Sequence, residues 1–427
     1  MISIRKALSI LIIMLTIVSL NQWAILNIGS TYAYYLLYTI VMVLFIVGIR
    51  SYFDKSNIAN LRYFHWFMIW TGICIIRGLI IAEGYWEWKN LTNGIFLLIL
   101  PLCIYSFTNE HLLQFILRRW LFWGFPFWVI AFAINDLYSF GFYMAPISLL
   151  VIFIPALKLK WKLVLIFISL IIIFYLLGAR SNVIKFTMSL LLVVGYYLGL
   201  TRFRRITIIT QLFFLLLPLI LLILGATGVF NVFNISEYLG KEIKIDNTDA
   251  HSPDRGQLTG DTRTFLYLEV ISSAIKNNYV VLGRTPARGN DSEYFGDEMG
   301  LEMHTGKYER HGNEVAVLDI FTWTGFVGLV LYLMIFWKAS YLAITNSNND
   351  IVKLIGLLVA FNYCYCFAEN FLGFDIMNLT RWMMIAMCYS NTFREMSNEE
   401  IGHWIRGIFE KPYLTNDSQQ FDSLELK

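Results

Sequence analysis

The sequence predicts an all-α polytopic membrane protein with about twelve transmembrane helices and one large extracytoplasmic loop. Of its 427 residues, 57% are hydrophobic and only 15% are charged, whereas soluble domains carry about 25% charged residues. The hydrophobic residues fall in blocks of about 16–24, long enough to cross a bilayer as helices. One long polar stretch interrupts these blocks. The short alternating segments that are typical of transmembrane strands do not occur.

Hydropathy divides the chain into four parts. Residues 1–230 hold nine predicted spans, 231–312 form the large outer loop, 313–392 hold three more spans, and 393–427 form a cytoplasmic tail. The predicted spans are 7–27, 31–49, 63–82, 91–108, 120–135, 141–157, 163–179, 183–200, 206–229, 313–336, 353–371 and 376–392.

The distribution of basic residues predicts the orientation, because cytoplasmic loops carry an excess of lysine and arginine. If the N-terminus is cytoplasmic, the short outside loops hold only Lys89 and Arg180. The inside loops then hold Arg50, Lys55, Arg62, Arg118, Arg119, Lys158, Lys160, Lys162, Arg202, Arg204, Arg205, Lys338 and Lys353. The large loop is therefore predicted outside and both termini inside. Apolar residues at helical spacing between positions 401 and 409 predict a short helix on the membrane surface.

Charge and cysteine content exclude several classes of function. The net charge of +3 is too small to indicate a nucleic-acid partner. All five cysteines lie inside apolar blocks, so neither a disulfide framework nor a zinc site is expected. We predict no metal and no cofactor.

Arg180 lies in the tight outside connection between the seventh and eighth predicted spans, in Gly178-Ala-Arg-Ser-Asn182. Ser181 or Asn182 is a suitable N-cap for the eighth span. The helix start would then offer free backbone N–H groups and a positive dipole end beside Arg180, which favours an anion site. The alternative is an arginine that reaches up to lipid phosphates.

Arg263 opens an amphipathic part of the loop, 262–276, which the spacing predicts as a helix capped by Asp261. Its apolar residues are Phe265, Leu268, Ile271 and Ile275. A basic residue is disfavoured in a first helical turn, so Arg263 needs an anion, either Asp261 or a substrate phosphate. Further on, Arg284 and Arg288 lie in a turn punctuated by glycine and proline. They could clamp a diphosphate, or the turn could be solvated.

His311 lies where the loop meets the tenth predicted span. A histidine at the boundary of water and membrane can act as a general base near neutral pH. Glu314 is predicted one helical turn further along, where it could orient the ring, and Arg310 is a second supporting residue. The alternative is a solvated surface histidine without a catalytic role.

Two arginines fall inside predicted spans, where a charge is costly and is usually functional or paired. Arg77 lies near the outer end of the third span, with Glu83 as a candidate partner. Arg381 lies near the outer end of the twelfth, with Asp375 or Glu369 as candidates. We expect structural ion pairs for both, and Arg77 is the better candidate for binding an anion.

Three landmarks in chain order resemble the O-antigen polymerase and ligase superfamily of membrane glycosyltransferases. They are Gly-Ala-Arg180-Ser after an apolar span, Thr-Arg263 opening a segment that ends at Leu282-Gly283, and His311-Gly-Asn313 leading into the glycine-rich stretch up to Gly328. The resemblance covers most of the membrane core, and it implies a fold similar to that of the GT-C glycosyltransferases.

The resemblance implies an enzyme of the bacterial plasma membrane that transfers glycan from undecaprenyl diphosphate at the outer face. His311 would be its catalytic residue. The residues expected at the donor diphosphate are Arg180, Arg263, Arg284, Arg288 and Arg77. The implied partners are a lipid-linked oligosaccharide donor and acceptor, membrane lipid, a chain-length regulator and a flippase.

A polymerase of O-antigen or capsule repeat units is the favoured function. An O-antigen ligase shares the architecture and differs in its acceptor. A lipid-linked oligosaccharide flippase or another transporter is the alternative from a different class. Transporters place polar features near the bilayer midplane, whereas the charges here cluster at the outer face.

Overall fold

A computed structural model of the chain describes residues 4–19, 30–128, 140–175, 180–233, 263–293, 300 and 307–413. The described part is mostly helical. Before the loop, the helices are α1 (Ile4–Val18), α2 (Thr31–Tyr52), α3 (Arg62–Ile81), α4 (Tyr85–Ile99), α5 (Cys103–Phe107), α6 (Glu110–Arg119), α7 (Phe140–Tyr143), α8 (Ala145–Ile152), α9 (Leu159–Tyr175), α10 (Arg180–Tyr197) and α11 (Arg204–Ala226). From the loop onwards they are α12 (Thr264–Lys276), α13 (Ala316–Thr345), α14 (Asp350–Tyr365), α15 (Ile376–Tyr389), α16 (Asn391–Glu395) and α17 (Asn398–Phe409). Two short strands, β1 (Asn290–Asp291) and β2 (Glu309–Arg310), lie between α12 and α13.

Several helices have the length and composition that a membrane span requires. Within the described ranges, five meet both conditions: Thr31–Tyr52, Arg62–Ile81, Tyr85–Phe107, Arg204–Ala226 and Ala316–Thr345. The chain is thus an all-α protein with helices that suit a multi-pass membrane protein, as its composition predicts.

Prolines explain why some predicted spans are not single regular helices. Pro101 lies in a 3-10 turn, Leu100–Leu102, which joins α4 to α5. A π-helical turn, Trp120–Gly124, follows α6, and Pro126 lies in the next 3-10 turn. Proline lacks an amide hydrogen and clashes with the preceding turn, so the backbone changes its helical type at these points.

The helix α13 lies at the centre of the bundle, where it packs on α3, α14 and α15. Its Tyr332 is fully buried, with ring centroids 5.6 Å from Phe67 of α3 and 6.4 Å from Trp382 of α15. A short turn leads from α13 to α14, whose N-terminus is capped by the side chain of Asn349. The three neighbours thereby fix the position of α13.

A break at Gly325 divides α13. Gly325 has φ +69°, a left-handed conformation that interrupts the helical hydrogen bonds. The backbone of the loop segment 280–285 fills the gap. Its hydrogen bonds run from Arg284 N–H to Thr322 O (2.6 Å), from Thr285 N–H to Trp323 O (3.1 Å), from Phe326 N–H to Val280 O (2.8 Å) and from Val327 N–H to Val281 O (3.4 Å). Because unpaired buried backbone groups are costly, the loop segment is part of the fold of the helix bundle.

Two side chains of α3 complete this junction. The indole of Trp70 donates to Thr324 O at 2.8 Å. The guanidinium of Arg77 donates to Leu282 O at 2.8 Å and to Gly283 O at 3.2 Å. The partner of Arg77 is therefore this backbone rather than Glu83, the predicted partner.

The helix α12 forms where the sequence predicts a helix, but the predicted apolar stripe is not the face of α12 that is buried. Arg263 is at the N-cap position and makes no capping hydrogen bond with its side chain, while Asp261, the predicted cap, lies outside the described residues. Three members of the stripe remain exposed: Leu268, Ile271 and Ile275. The buried face lies beside it and is formed by Leu266, Val270 and Ala274. The loop thus presents an apolar face outward.

The tail helix α17 also forms as predicted, but it packs on protein. Its apolar residues are buried and face α6. Gln114 donates to Trp404 O at 2.7 Å, and the Trp404 indole donates to Glu110 O at 2.9 Å. The apolar face of α17 is therefore covered by α6, and its position on the membrane surface stays a prediction.

Replacing Gly325 with alanine is expected to destabilise the protein. A Cβ atom there would lie 2.2 Å from Val281 O and 2.4 Å from Gly283 N. The left-handed backbone conformation alone would cost roughly 1–3 kcal/mol. The midpoint of heat-induced aggregation of the detergent-purified protein should fall by several degrees. Gly72→Ala is the matched control, since a Cβ at Gly72 meets no atom within 4 Å; equal midpoints for the two variants would contradict the role of the break.

Candidate functional site

The strands β1 and β2 bring the chain around Asn290 next to the chain around Arg310. They pair antiparallel, with Asn290 opposite Arg310, and Ser292 N–H donates to Tyr308 O at 3.1 Å just beyond. Gly289 lies so close to the other strand that a Cβ would be 2.1 Å from Arg310 O. This close approach places Arg288 beside Glu309.

Glu309 is the centre of a group of charges that we call the loop cluster, formed by Glu87, Arg284, Arg288, Asp291 and Glu309. Its side chain is only 6% exposed. Arg288 Nε donates to both carboxylate oxygens, at 3.1 and 2.9 Å, and its Nη2 also donates to Oε1. Arg284 Nη2 lies 3.0 Å from Oε1. One buried carboxylate therefore binds both arginines of the turn.

Arg284 has further acceptors. Its Nη1 donates to Asp291 Oδ1 at 2.7 Å and to Gly289 O at 2.9 Å. Burial would raise the pKa of Asp291, but hydrogen bonds from Asn277, Arg284 and Lys276 outweigh it and hold this pKa below its usual value. Asp291 thus stays ionised and keeps Arg284 in place.

The loop cluster extends to the start of α4. Arg288 Nε lies 3.9 Å from Glu87 Oε1, and Lys307 forms a close ion pair with the same oxygen. The side chains of Arg284 and Arg288 are 16% and 23% exposed. The interpretation of this turn as solvated is therefore wrong, because acidic groups hold both guanidiniums.

His311 lies beside the loop cluster. Within the described part of the chain, its Nδ1 is buried and has no hydrogen-bond partner. Burial lowers the pKa of His311; the charges of Glu309 and Glu87 oppose this shift, and those of Arg288 and Arg284 reinforce it. The imidazole is therefore neutral at neutral pH, the form in which a histidine accepts a proton.

A second group, which we call the entry cluster, consists of Arg263, Arg310 and Glu314. Glu314 Oε2 accepts from Arg263 Nη1 at 3.0 Å, and Oε1 lies 3.3 Å from Arg310 Nη2. Residues 311–315 are not helical, and Glu314 has φ +56°. The predicted orienting contact of Glu314 with His311 is thus wrong in its geometry: Glu314 instead links the start of α12 to the start of the tenth predicted span.

Asn313 and Asp319 anchor the chain between these clusters and α13. Both are buried. Asp319 Oδ1 accepts from the backbone N–H of Asn313 at 2.7 Å and from its Nδ2 at 3.1 Å. This contact fixes the residue two positions after His311, and so limits where the imidazole can lie.

Arg180 is at the first position of α10, so Ser181 and Asn182 lie inside the helix rather than at its cap. The charges of Arg180 and Arg263 both act on the hydroxyl of Tyr365, at the end of α14. The Tyr267 hydroxyl donates to Phe367 O at 2.5 Å and holds α12 against the same end of the bundle. Two arginines that are far apart in sequence therefore both lie within electrostatic range of Tyr365.

The structure brings in residues that the sequence analysis passed over. Glu309 and Glu87 were not predicted as partners of the arginines, because long-range pairing leaves no local pattern. Lys185 lies within the predicted span 183–200, and a lone lysine in an apolar span is itself a signal of function or pairing.

Metal-binding groups are not found: among the described residues, no group of three or more His, Cys, Asp and Glu side chains could hold a metal ion. No known family model, curated protein or solved structure matches the chain significantly.

Glu309→Gln is expected to destabilise the protein by about 3 kcal/mol, since removing one partner leaves buried cations unpaired. The measurement is unfolding in mixed micelles of denaturing and mild detergent. Glu314→Gln is the matched control. Its side chain is 61% exposed, so the loss should be below about 1 kcal/mol. Equal losses would show that the buried carboxylate has no special role in holding the turn.

Proposed function

We propose that this protein polymerises O-antigen or capsule repeat units. It would transfer an undecaprenyl-diphosphate-linked glycan onto a lipid-linked repeat-unit acceptor at the outer face of the bacterial plasma membrane. The proposal includes the predicted topology of about twelve spans with both termini in the cytoplasm, and the loop of residues 231–312 on the outside.

The observation that carries this proposal is that Arg180 and Arg263, which begin α10 and precede α12, both act electrostatically on Tyr365 at the same end of the bundle. Cleavage of a glycosyl diphosphate requires stabilisation of the charge that develops on the leaving diphosphate. Guanidinium groups supply this by charge-assisted, bidentate hydrogen bonds. A donor anchored by its lipid in the membrane would present its diphosphate at this end of the bundle.

Arg263 pairs with an exposed carboxylate, Glu314, whose side chain is 61% exposed, whereas the carboxylate partners of Arg284 and Arg288 are more buried, and this supports a division of roles. Arg284 and Arg288 are held by Glu309 and Asp291, and Arg77 by backbone carbonyls. In the proposed enzyme these three residues position the loop.

His311 is the proposed general base. It would accept the proton of the acceptor sugar hydroxyl as this oxygen attacks the anomeric carbon of the donor and the bond to the diphosphate breaks. The lowered pKa of His311 favours the neutral form of the imidazole. Its Nδ1 is buried, and charges of the loop cluster act on the ring. No metal is needed for this proton transfer.

Deletion of the gene tests the proposal by glycan electrophoresis. Loss of a polymerase leaves single repeat units attached to the cell surface. Polymer that accumulates on the carrier lipid would indicate a ligase instead, and repeat units trapped on the cytoplasmic side would indicate a flippase. Either of these last two patterns would overturn the proposal.

Complementation of the deletion with Arg180→Ala, Arg263→Ala or His311→Ala should restore no polymer, at unchanged protein level. The reason is that each variant removes a charge or a base from the transfer step. Arg202→Ala is the matched control, because Arg202 follows the opposite end of α10 and should support normal polymer. Polymer of normal length in all three site variants would contradict the site assignment.

The pH dependence of the reaction should reflect the lowered pKa of His311. A general base is active when unprotonated, so the rate should fall only as the pH drops through this pKa, which is below the ordinary value of 6.5. Initial rates of polymerisation by the detergent-purified protein between about pH 5 and 8 measure this. Protein held at low pH and assayed after return to neutrality should recover fully. An acidic limb centred above 6.5 would contradict the assignment of His311.

A further inference from the structure

A small cavity with several polar side chains in a mainly apolar wall lies between α8, α10, α14 and α15. Its walls include Asn182 and Lys185 of α10, Asn362 of α14 and Arg381 of α15. The cavity leaves about 30 Å³, roughly the room of two water molecules. It therefore suits one small group rather than a sugar.

The cavity wall is rich in hydrogen-bond donors that lack acceptors. Asn182, Asn362 and Arg381 are 1%, 5% and 3% exposed. Among the described residues, Asn182 Nδ2, Asn362 Nδ2 and Arg381 Nε have no hydrogen-bond partner. Arginine Nε can only donate, and each buried donor left unpaired costs about 1–3 kcal/mol. An acceptor bound in the cavity would remove this cost.

The charge of the wall is positive. Of the described residues that line the cavity, Lys185 and Arg381 are the charged ones, and none is acidic. Lys185 Nζ contacts Met377 Sδ at 3.1 Å, and a thioether is only a weak acceptor. In the described part of the chain, no carboxylate lies within ion-pair distance of Lys185.

The nearby acidic groups lie outside this wall. Glu369 and Asp375 act on Lys185 through space, but Asp375 accepts from the backbone N–H and Nδ2 of Asn378, at 2.7 and 2.8 Å. Arg381 donates to Asn378 Oδ1 and lies 3.2 Å from the ring centroid of Phe371, while among the described residues its Nε has no hydrogen-bond partner. The wall therefore has donors without acceptors, and its two cations favour an acceptor that carries negative charge.

We propose that the cavity binds a phosphate group, held by Lys185, Arg381 and the amides of Asn182 and Asn362. Oxygen atoms of a phosphate can accept from all four side chains at once, and both cations stabilise its charge. Arg180 lies five residues before Lys185 on α10, about 7.5 Å along the helix, so it would meet an anion that enters from the loop end. The inference requires no glycan chemistry and stands independently of the proposed function.

Phosphate binding can be tested by the thermal stability of the full-length, detergent-purified protein. The probes are inorganic phosphate, farnesyl diphosphate and farnesol, added at constant ionic strength. We expect a phosphate-bearing probe to raise the midpoint, and its Kd to increase at least tenfold in Lys185→Met. Lys162→Met is the matched control: Lys162 is bonded to the Tyr197 hydroxyl at 3.1 Å, at the opposite end of the bundle, and should bind as the parent does.

The outcomes distinguish the source of the phosphate. Stabilisation by inorganic phosphate indicates a free anion, and stabilisation by farnesyl diphosphate alone indicates a lipid-borne group. Asn362→Asp supplies a second variant: its new carboxylate should pair with Lys185, keep the protein folded and abolish phosphate binding. The proposal is overturned if farnesol stabilises as well as farnesyl diphosphate, if no phosphate probe binds, or if both variants bind with the parent's Kd.

Discussion

The hydrogen bonds between the loop segment 280–285 and the broken helix α13 are the constraint on which the rest of the structure depends. A left-handed Gly325 leaves backbone groups without helical partners, and buried backbone groups are costly when unpaired. Another stretch of backbone must therefore supply them. Because that stretch continues directly into Arg284 and Arg288, the break also sets the position of the loop cluster. Loop and membrane helices are accordingly one folding unit, although their compositions differ.

The arginines fall into two physical groups. Those next to the inserted segment, such as Arg284 and Arg288, have carboxylates for partners at short distance, and a buried pair of this kind fixes a conformation. Those at the helix ends, Arg180 and Arg263, both act electrostatically on Tyr365, and Arg263 has a carboxylate partner, Glu314. The acidic partners differ in burial: the side chain of Glu309 is 6% exposed, whereas that of Glu314, the partner of Arg263, is 61% exposed.

Composition and periodicity predict the helices well, because burial in lipid and the 3.6-residue repeat are local properties of the chain. The hydrogen-bond partners of the arginines could not be predicted in this way. Arg77 bonds to a carbonyl 205 positions away, and Arg288 to a carboxylate 21 positions away; no local pattern encodes such a pairing. Pro101, Pro126 and Gly325 mark where helices change type or break. Which segment bonds to the backbone at the break in α13 depends on tertiary packing, which the local sequence does not encode. Lys185 was within reach of sequence reasoning, as a charge inside an apolar span.

The pairing of Ser292 with Tyr308 closes the base of the stretch between them. Lys307, next to this closure, pairs with Glu87 at the start of α4, a residue 220 positions earlier in the chain. The short ladder therefore ties the late part of the loop to the first half of the protein, and a change of sequence in either segment is transmitted to the other through this contact.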